Sequence, residues 1–192
     1  LIFSLVTAGT KFMPKWMKIG QIFKRLFDIL YATYSFILIL PLIFIISILI
    51  KFSYRGSIFI RQKRIGQNGK EIHLVKFRTK SVAYKENSGL TKIGKFLNRT
   101  KLDYLLRLYN VIEGELSLVG PYARSQEEFN KLPEIIKQKL LSVKPGITGK
   151  WQISDTEPDQ AINFDIEYID NWSLLLDLKI IFKTAVIVLF DK

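Results

Sequence analysis

Residues 29–50, ILYATYSFILILPLIFIISILI, contain no charged side chain, and Pro41 is the one residue among them that breaks helices. As a helix rising 1.5 Å per residue the stretch is about 33 Å long, enough to cross a hydrocarbon core of roughly 30 Å. Its flanks are basic on both sides. Lys11, Lys15, Lys18, Lys24 and Arg25 precede it, Lys51, Arg55, Arg61, Lys63 and Arg64 follow it, and Asp28 is the only acidic residue before Glu71. Basic flanks stay on the cytoplasmic side of a membrane, so both ends are expected on one side, as a re-entrant hairpin or an in-plane helix. Pro41 suits the turn, because it lacks an amide hydrogen and clashes with the carbonyl four residues back. Two other readings remain open at this point: a kinked transmembrane helix, and the core helix of a soluble protein.

Working outward, PKWMKIGQIFKRLF (14–27) sets apolar residues among four basic ones at near-helical spacing, as in a helix lying in the membrane interface. A solvated helix face is the alternative. The opening LIFSLVTAGTKF, without Met, reads as the remnant of a longer N-terminus or an interfacial segment over residues 1–23. The run is too long for a signal-peptide core and has no small-residue cleavage site after it. With 192 residues the chain has room for one core and a subdomain. Hydrophobic residues make up 48 % and the net charge is +12, a pairing that favours anionic membrane lipids and phosphate-bearing substrates. Nucleic acid, the competing anionic partner, does not call for such an apolar run. There is no cysteine and His73 is the only histidine, which excludes disulfides, thiol catalysis and a one-chain His or Cys metal cluster. Chemistry is left to carboxylates, Tyr, Ser, Lys and Arg.

Downstream, residues 57–60 are a short strand candidate, and Asn68-Gly69 marks a two-residue hairpin leading into the strand EIHLVKFRT. Regular alternation puts Ile72, Leu74, Lys76 and Arg78 on one face. Lys76 and Arg78 then share a wet pocket wall, or else charge an exposed edge against aggregation. A helix is expected to start at Thr100, with Thr100 and Asp103 as a capping box and Asp103 paired to Arg107 four residues on. Residues 124–141 look helical with an interruption at Pro133. Lys144-Pro145-Gly146-Ile147-Thr148-Gly149 forms a rigid loop, either a plain turn or one bringing backbone amides to a phosphate. The last segment, SLLLDLKIIFKTAVIVLF, carries Asp177, Lys183 and Thr184 on one side of an apolar helix.

From about Lys24 to the C-terminus the chain resembles the bacterial sugar transferase family, the catalytic domain of monotopic polyprenyl-phosphate phosphoglycosyl transferases. The resemblance rests on several stretches in one order: KRLFD, the apolar segment with Pro41, FIRQKRIGQNGKEIHLVKFRT, TKIGKFLNRTKLD, LYNVIEGELSLVGP, VKPGITG and DIEYIDNWSLLLDLKIIFKT. It implies an α/β fold: a small membrane-associated catalytic domain over residues 24–192 with an N-terminal re-entrant helix-break-helix (26–50) and interfacial helices, at the cytoplasmic face of the bacterial cytoplasmic membrane. The implied reaction moves phospho-sugar from a UDP-sugar to polyprenyl (undecaprenyl) phosphate and releases UMP, at the start of lipid-linked glycan synthesis for capsule or exopolysaccharide. Other glycan-assembly proteins are further partners; nucleic acid is not expected.

The same resemblance implies roles for residues. Asp103 matches the nucleophile and Mg²⁺ ligand, Lys76, Arg78 and Lys144 match segments of the anionic site, Pro41 matches the helix break, and Asp28 pairs with Arg25 to anchor it. The chain also departs from the family pattern. Tyr104 stands where a Glu completes an Asp-Glu dyad, Tyr122 and Ala123 stand where the family has Arg-Pro, and Ser154-Asp155-Thr156 follow the segment that normally ends in Gly-Arg. Arg124 is the candidate replacement for the missing arginine. The alternative to transfer is a catalytically inactive homolog that binds lipid, nucleotide-sugar or a glycan-assembly partner.

Overall fold

The uncharged stretch is the middle of one helix, α1 (Lys15–Ser53), in a computed structural model that describes residues 15–53, 56–79, 92–100, 102–154 and 161–190. Where a break at Pro41 was expected, α1 continues through it. A proline forfeits one backbone hydrogen bond, and packing on either side of it carries the helix past. One face is docked along its length: Asp28, Ala32, Ile43, Ile46 and Ile50 are buried, with Phe36 and Ile39 partly so. These positions recur every three or four residues, the period of one helix face. The opposite face leaves Leu30, Tyr34, Ile37, Phe44 and Phe52 exposed. Among the described residues α1 is the one helix long and apolar enough to cross a membrane.

The expected hairpin forms from β1 (Phe59–Ile65) and β2 (Glu71–Phe77), antiparallel, with Arg64 opposite Ile72 and Ile60 opposite Lys76. Asn68 (φ 57°) and Gly69 (φ 78°) both take the left-handed conformation that this dipeptide favours. They lie within a longer turn, closed by Gly66 N–H donating to the Lys70 carbonyl at 2.8 Å. β1 also runs beyond the expected 57–60, through the charged RQKRI.

α2 (Lys92–Arg99) precedes the position where a helix start was expected. Thr100 Oγ1 donates back to the Phe96 carbonyl (2.8 Å), closing α2 rather than opening a new helix with Asp103. A single 3₁₀ turn, Leu102–Tyr104, separates α2 from α3 (Arg107–Glu113). Asn110 of α3 ties that helix to the hairpin: its side chain accepts from Val75 N–H (3.1 Å) and donates to the His73 carbonyl (2.9 Å).

β3 (Ser117–Val119) pairs in parallel with β4 (Gly146–Thr148). The crossover between them holds α4 (Gln126–Asn130) and α5 (Glu134–Leu141), divided at Pro133 as expected. A β-carbon on Gly146 would lie 2.1 Å from the Gly120 nitrogen. Where a rigid loop was expected over residues 144–149, Gly146–Thr148 is a strand, and the absence of a side chain at Gly146 lets it meet β3. α6 (Ile162–Asp170) and α7 (Leu174–Phe190) complete the chain. Ile180 of α7 is buried, while Leu175, Leu178 and Phe182 point outward.

The core has two parts. Ala32 packs with Ile72, Leu74, Val111, Leu116 and Ile180, and Ile43, Ile46 and Ile50 pack with Phe77, Leu97 and Leu106. Both halves of α1 therefore dock on the same body.

Candidate active site

Between α1, the hairpin, the Leu102–Tyr104 turn, α3 and α7 lies a cleft of about 670 Å³. Its apolar lining includes Ile39 of α1, Leu105, Leu108, Ile147, and Ile181 and Ala185 of α7. Its polar lining includes Gln62, Arg64, Lys76, Arg107, Thr148 and Gln152. Opposed residues of an antiparallel pair share a face, so the register sets Gln62, Arg64 and Lys76 on the face that meets the cleft. Arg64 lies 4.0 Å from Glu128 in a loose ion pair. A cleft with cationic and apolar walls suits a ligand that joins phosphate to hydrocarbon.

Arg107 is only 7 % exposed, and its guanidinium lies 4.0 Å above the Tyr104 ring. Burial pulls its pKa below the usual value, while nearby Tyr104, Tyr122 and Asp103 act in the opposite direction. Its Nε and the Trp151 Nε1 are buried with no hydrogen-bond partner among the described residues. The Trp151 ring stands edge-on to Tyr122, centroids 5.1 Å apart. Buried donors in a native fold normally have acceptors, and both of these belong to side chains that line the cleft.

The structure sorts the sequence candidates. Lys76 and Tyr104 line the cleft. Asp103 is 2 % exposed, flanked in the turn by the lining residues Leu102 and Tyr104. Among the ion pairs of the described residues there is none between Asp103 and Arg107; the arginine stacks on Tyr104 instead. Arg78 lies past the end of β2, its amide bonded to the Ile58 carbonyl at 2.8 Å, and does not line the cleft.

Arg124 is held elsewhere. Its Nη1 donates to Asp165 Oδ2 at 2.7 Å in a buried ion pair, and Asp165 Oδ1 accepts from Tyr122 N–H. Burial, only partly offset by Arg124, pushes the Asp165 carboxyl up to about 6. Lys144 sits beside Gly114 and Arg25, where burial and the arginine's charge hold its pKa below the usual value.

Asp28 and Arg25 do not pair with each other. Ser117 Oγ donates to Asp28 Oδ2 at 2.6 Å, and Arg25 donates to the carbonyls of Val111 (2.8 Å) and Ile112 (3.2 Å) at the end of α3. Lys24, which the sequence reading did not single out, donates to Asp177 Oδ2 at 2.6 Å and to the Val119 carbonyl. Tyr168 O–H and Trp172 Nε1–H complete the shell around Asp177. The signal for this network was Asp177 itself, a carboxylate in an apolar helix. Arg107 was missed as a site residue because helical spacing alone assigned it to Asp103.

Residues 19–191 match the family described as Bacterial sugar transferase. The chain belongs to that family. It is 38 % identical over 186 residues to the UDP-glucose:undecaprenyl-phosphate glucose-1-phosphate transferase of Klebsiella pneumoniae, a match covering 87 % of this chain and 40 % of that protein. To the exopolysaccharide production protein ExoY of Sinorhizobium fredii it is 38 % identical over 193 residues, covering 86 % of this chain and 85 % of that protein. To the galactosyl transferase CpsE of Streptococcus agalactiae it is 37 % identical over 158 residues, 70 % of this chain and 35 % of that one. The chain thus spans less than half the length of two of these three relatives. In this member of the family Tyr104 and Tyr122 both lie beside Arg107.

Proposed function

We propose that the cleft transfers phospho-sugar from a UDP-sugar to a polyprenyl phosphate and releases UMP, at the cytoplasmic face of a bacterial membrane. The observation that carries this reading is the cleft's double character: Arg64, Lys76 and Arg107 meet apolar residues of α1 and α7 in one space. Cations there neutralise a diphosphate, and the two apolar helices receive an acyl-like chain. The name of the Klebsiella pneumoniae relative, which includes UDP-glucose and undecaprenyl phosphate, supports the same substrate classes.

Asp103 is the nucleophile in this reading. Its carboxylate oxygen attacks the sugar-linked phosphorus, the bond from that phosphorus to the bridging oxygen breaks, and UMP leaves with that oxygen. The lipid phosphate oxygen then attacks the same phosphorus, displaces Asp103, and carries the phospho-sugar away as a diphosphate-linked lipid. Among the described residues no three carboxylate or imidazole groups converge, and the cleft offers oxygen donors in Gln62, Thr148 and Gln152 beside the Asp103 turn. Mg²⁺ is commonly bound by one or two carboxylates with substrate phosphates and water; the described cleft lining holds no carboxylate, and Asp103 in the adjoining turn is the residue that would hold the ion. When bound, the ion supplies charge neutralisation at the diphosphate.

Asp28 and Ile50, about 33 Å apart along the continuous helix α1, are both buried on the same body, which supports the in-plane form of the expectation, a helix lying along one face of the membrane. The rival reading, a binding protein without turnover, draws on the burial of Asp103. UMP release from a panel of UDP-sugars with Mg²⁺ and undecaprenyl phosphate separates the two. Transfer predicts turnover by the wild type and loss in Asp103→Asn; substrate binding without turnover in either Asp103 form would establish the rival.

A further inference from the structure

We propose that Arg107 is the phosphate-binding arginine of this chain, taking the place of the guanidinium that the family pattern has at Tyr122; the inference rests on the transfer reading for the origin of its ligand. Arg124, two positions beyond Tyr122, is bound to Asp165 at 2.7 Å and does not line the cleft. Arg107 does line it. Among the described residues its side chain forms no ion pair, its Nε is buried without an acceptor, and its guanidinium rests on the Tyr104 ring at 4.0 Å.

That combination is what an anion site needs. Stacking on an aromatic face fixes the plane of a guanidinium while leaving its edge donors directed outward. Here the shelf is Tyr104, the residue standing where the family has a glutamate. A glutamate at that position would bring a charge able to pair with Arg107 and compete for its donors; a neutral ring does not. Trp151 adds a second buried donor, Nε1, also without an acceptor and also in a cleft-lining side chain. Both are donors only, so a ligand that satisfies either of them bears acceptor oxygens, and Arg64 and Lys76 in the same cleft favour an anionic one.

The chemistry recognised is a phosphoryl oxygen, belonging either to a nucleotide diphosphate or to a lipid phosphate. Binding of inorganic pyrophosphate, UDP and undecaprenyl phosphate is to be measured on the full chain in detergent, for wild type, Arg107→Ala, Arg107→Lys, and Arg107→Leu with Tyr122→Arg. Arg107→Ala is expected to weaken pyrophosphate binding about 10- to 100-fold, the range for hydrogen bonds to charged groups. Arg107→Lys falls between, since an ammonium keeps the charge without the fork, and returning the arginine to position 122 recovers part of the loss. A matching loss for UDP assigns Arg107 to the nucleotide, and one for undecaprenyl phosphate assigns it to the lipid.

Unchanged pyrophosphate affinity in folded Arg107→Ala overturns the inference and leaves the transferase reading standing. Where the alanine variant does not fold, Arg107→Lys decides, and wild-type affinity for all three probes overturns it. Pyrophosphate binding that depends on Arg107 in a protein releasing no UMP supports the anion site and removes the transfer reading.

Discussion

The cations at the two ends of α3 have opposite fates. At its C-terminal end Arg25 donates to the Val111 and Ile112 carbonyls, where a positive charge also complements the helix dipole, and Lys24 nearby is bound to Asp177, Val119 and Tyr168. At its first residue Arg107 has a ring beneath it and no acceptor at Nε, and Lys76 shares its cleft. The first set is consumed in holding α1 against the platform. Arg107 is held in place by its stack on Tyr104 and, in the inference above, leaves its donors to a ligand. Position in a basic chain therefore says less about a cation's role than whether the fold has already supplied its acceptors.

The widest separation between the sets is in stability. Asp177→Leu leaves Lys24 partly buried without its carboxylate, removes one acceptor of Tyr168 and that of Trp172, and is expected to cost about 3–5 kcal/mol, read from denaturant unfolding in detergent. Adding Lys24→Met recovers much of that loss, because a buried pair replaced whole is far less damaging than one broken. An unchanged midpoint in Asp177→Leu would break the comparison. Arg25→Met is expected to cost about 1–3 kcal/mol, the range for hydrogen bonds from a charged donor, with UDP affinity of the folded protein unaltered; a loss of affinity at constant stability would move Arg25 into the binding set. Lys76→Ala has a smaller effect on stability than either of these and lowers UDP affinity; the same titration and melt check both halves of that expectation.

Local signals in the sequence were reliable where the chain makes its own contacts. Asn68-Gly69 marks a turn because both residues accept positive φ, and Pro133 ends up at the start of α5. The apolar run yields a helix, and the helix docks on a face with the expected spacing. Strand β1 was underestimated because RQKRI is half solvated and shows no apolar alternation.

What failed to show was everything set by distant partners. Asp28 and Arg25, three residues apart, look like a pair, yet Ser117 and the end of α3 claim them from nearly ninety residues away. Thr100 resembles the start of a helix and closes the one before it. Arg78 and Lys144 resembled site cations by segment; neither lines the described cleft, Arg78 lying past the end of β2 and Lys144 beside Arg25. Arg107 carried no signal of its own, since a stack on Tyr104 three residues back is invisible until the 3₁₀ turn between them is known.

The account stands or falls on whether the Asp103 turn beside the cleft takes up the phospho-sugar. Mixing the protein with the UDP-sugar panel and Mg²⁺ in the absence of lipid, and following UMP together with the mass of the peptide that holds Asp103, tests this directly. The prediction is a burst of UMP of up to one equivalent, a matching phospho-sugar adduct on Asp103, and discharge of that adduct when undecaprenyl phosphate is added. An adduct on another residue, or a burst of equal size from Asp103→Asn, would contradict it.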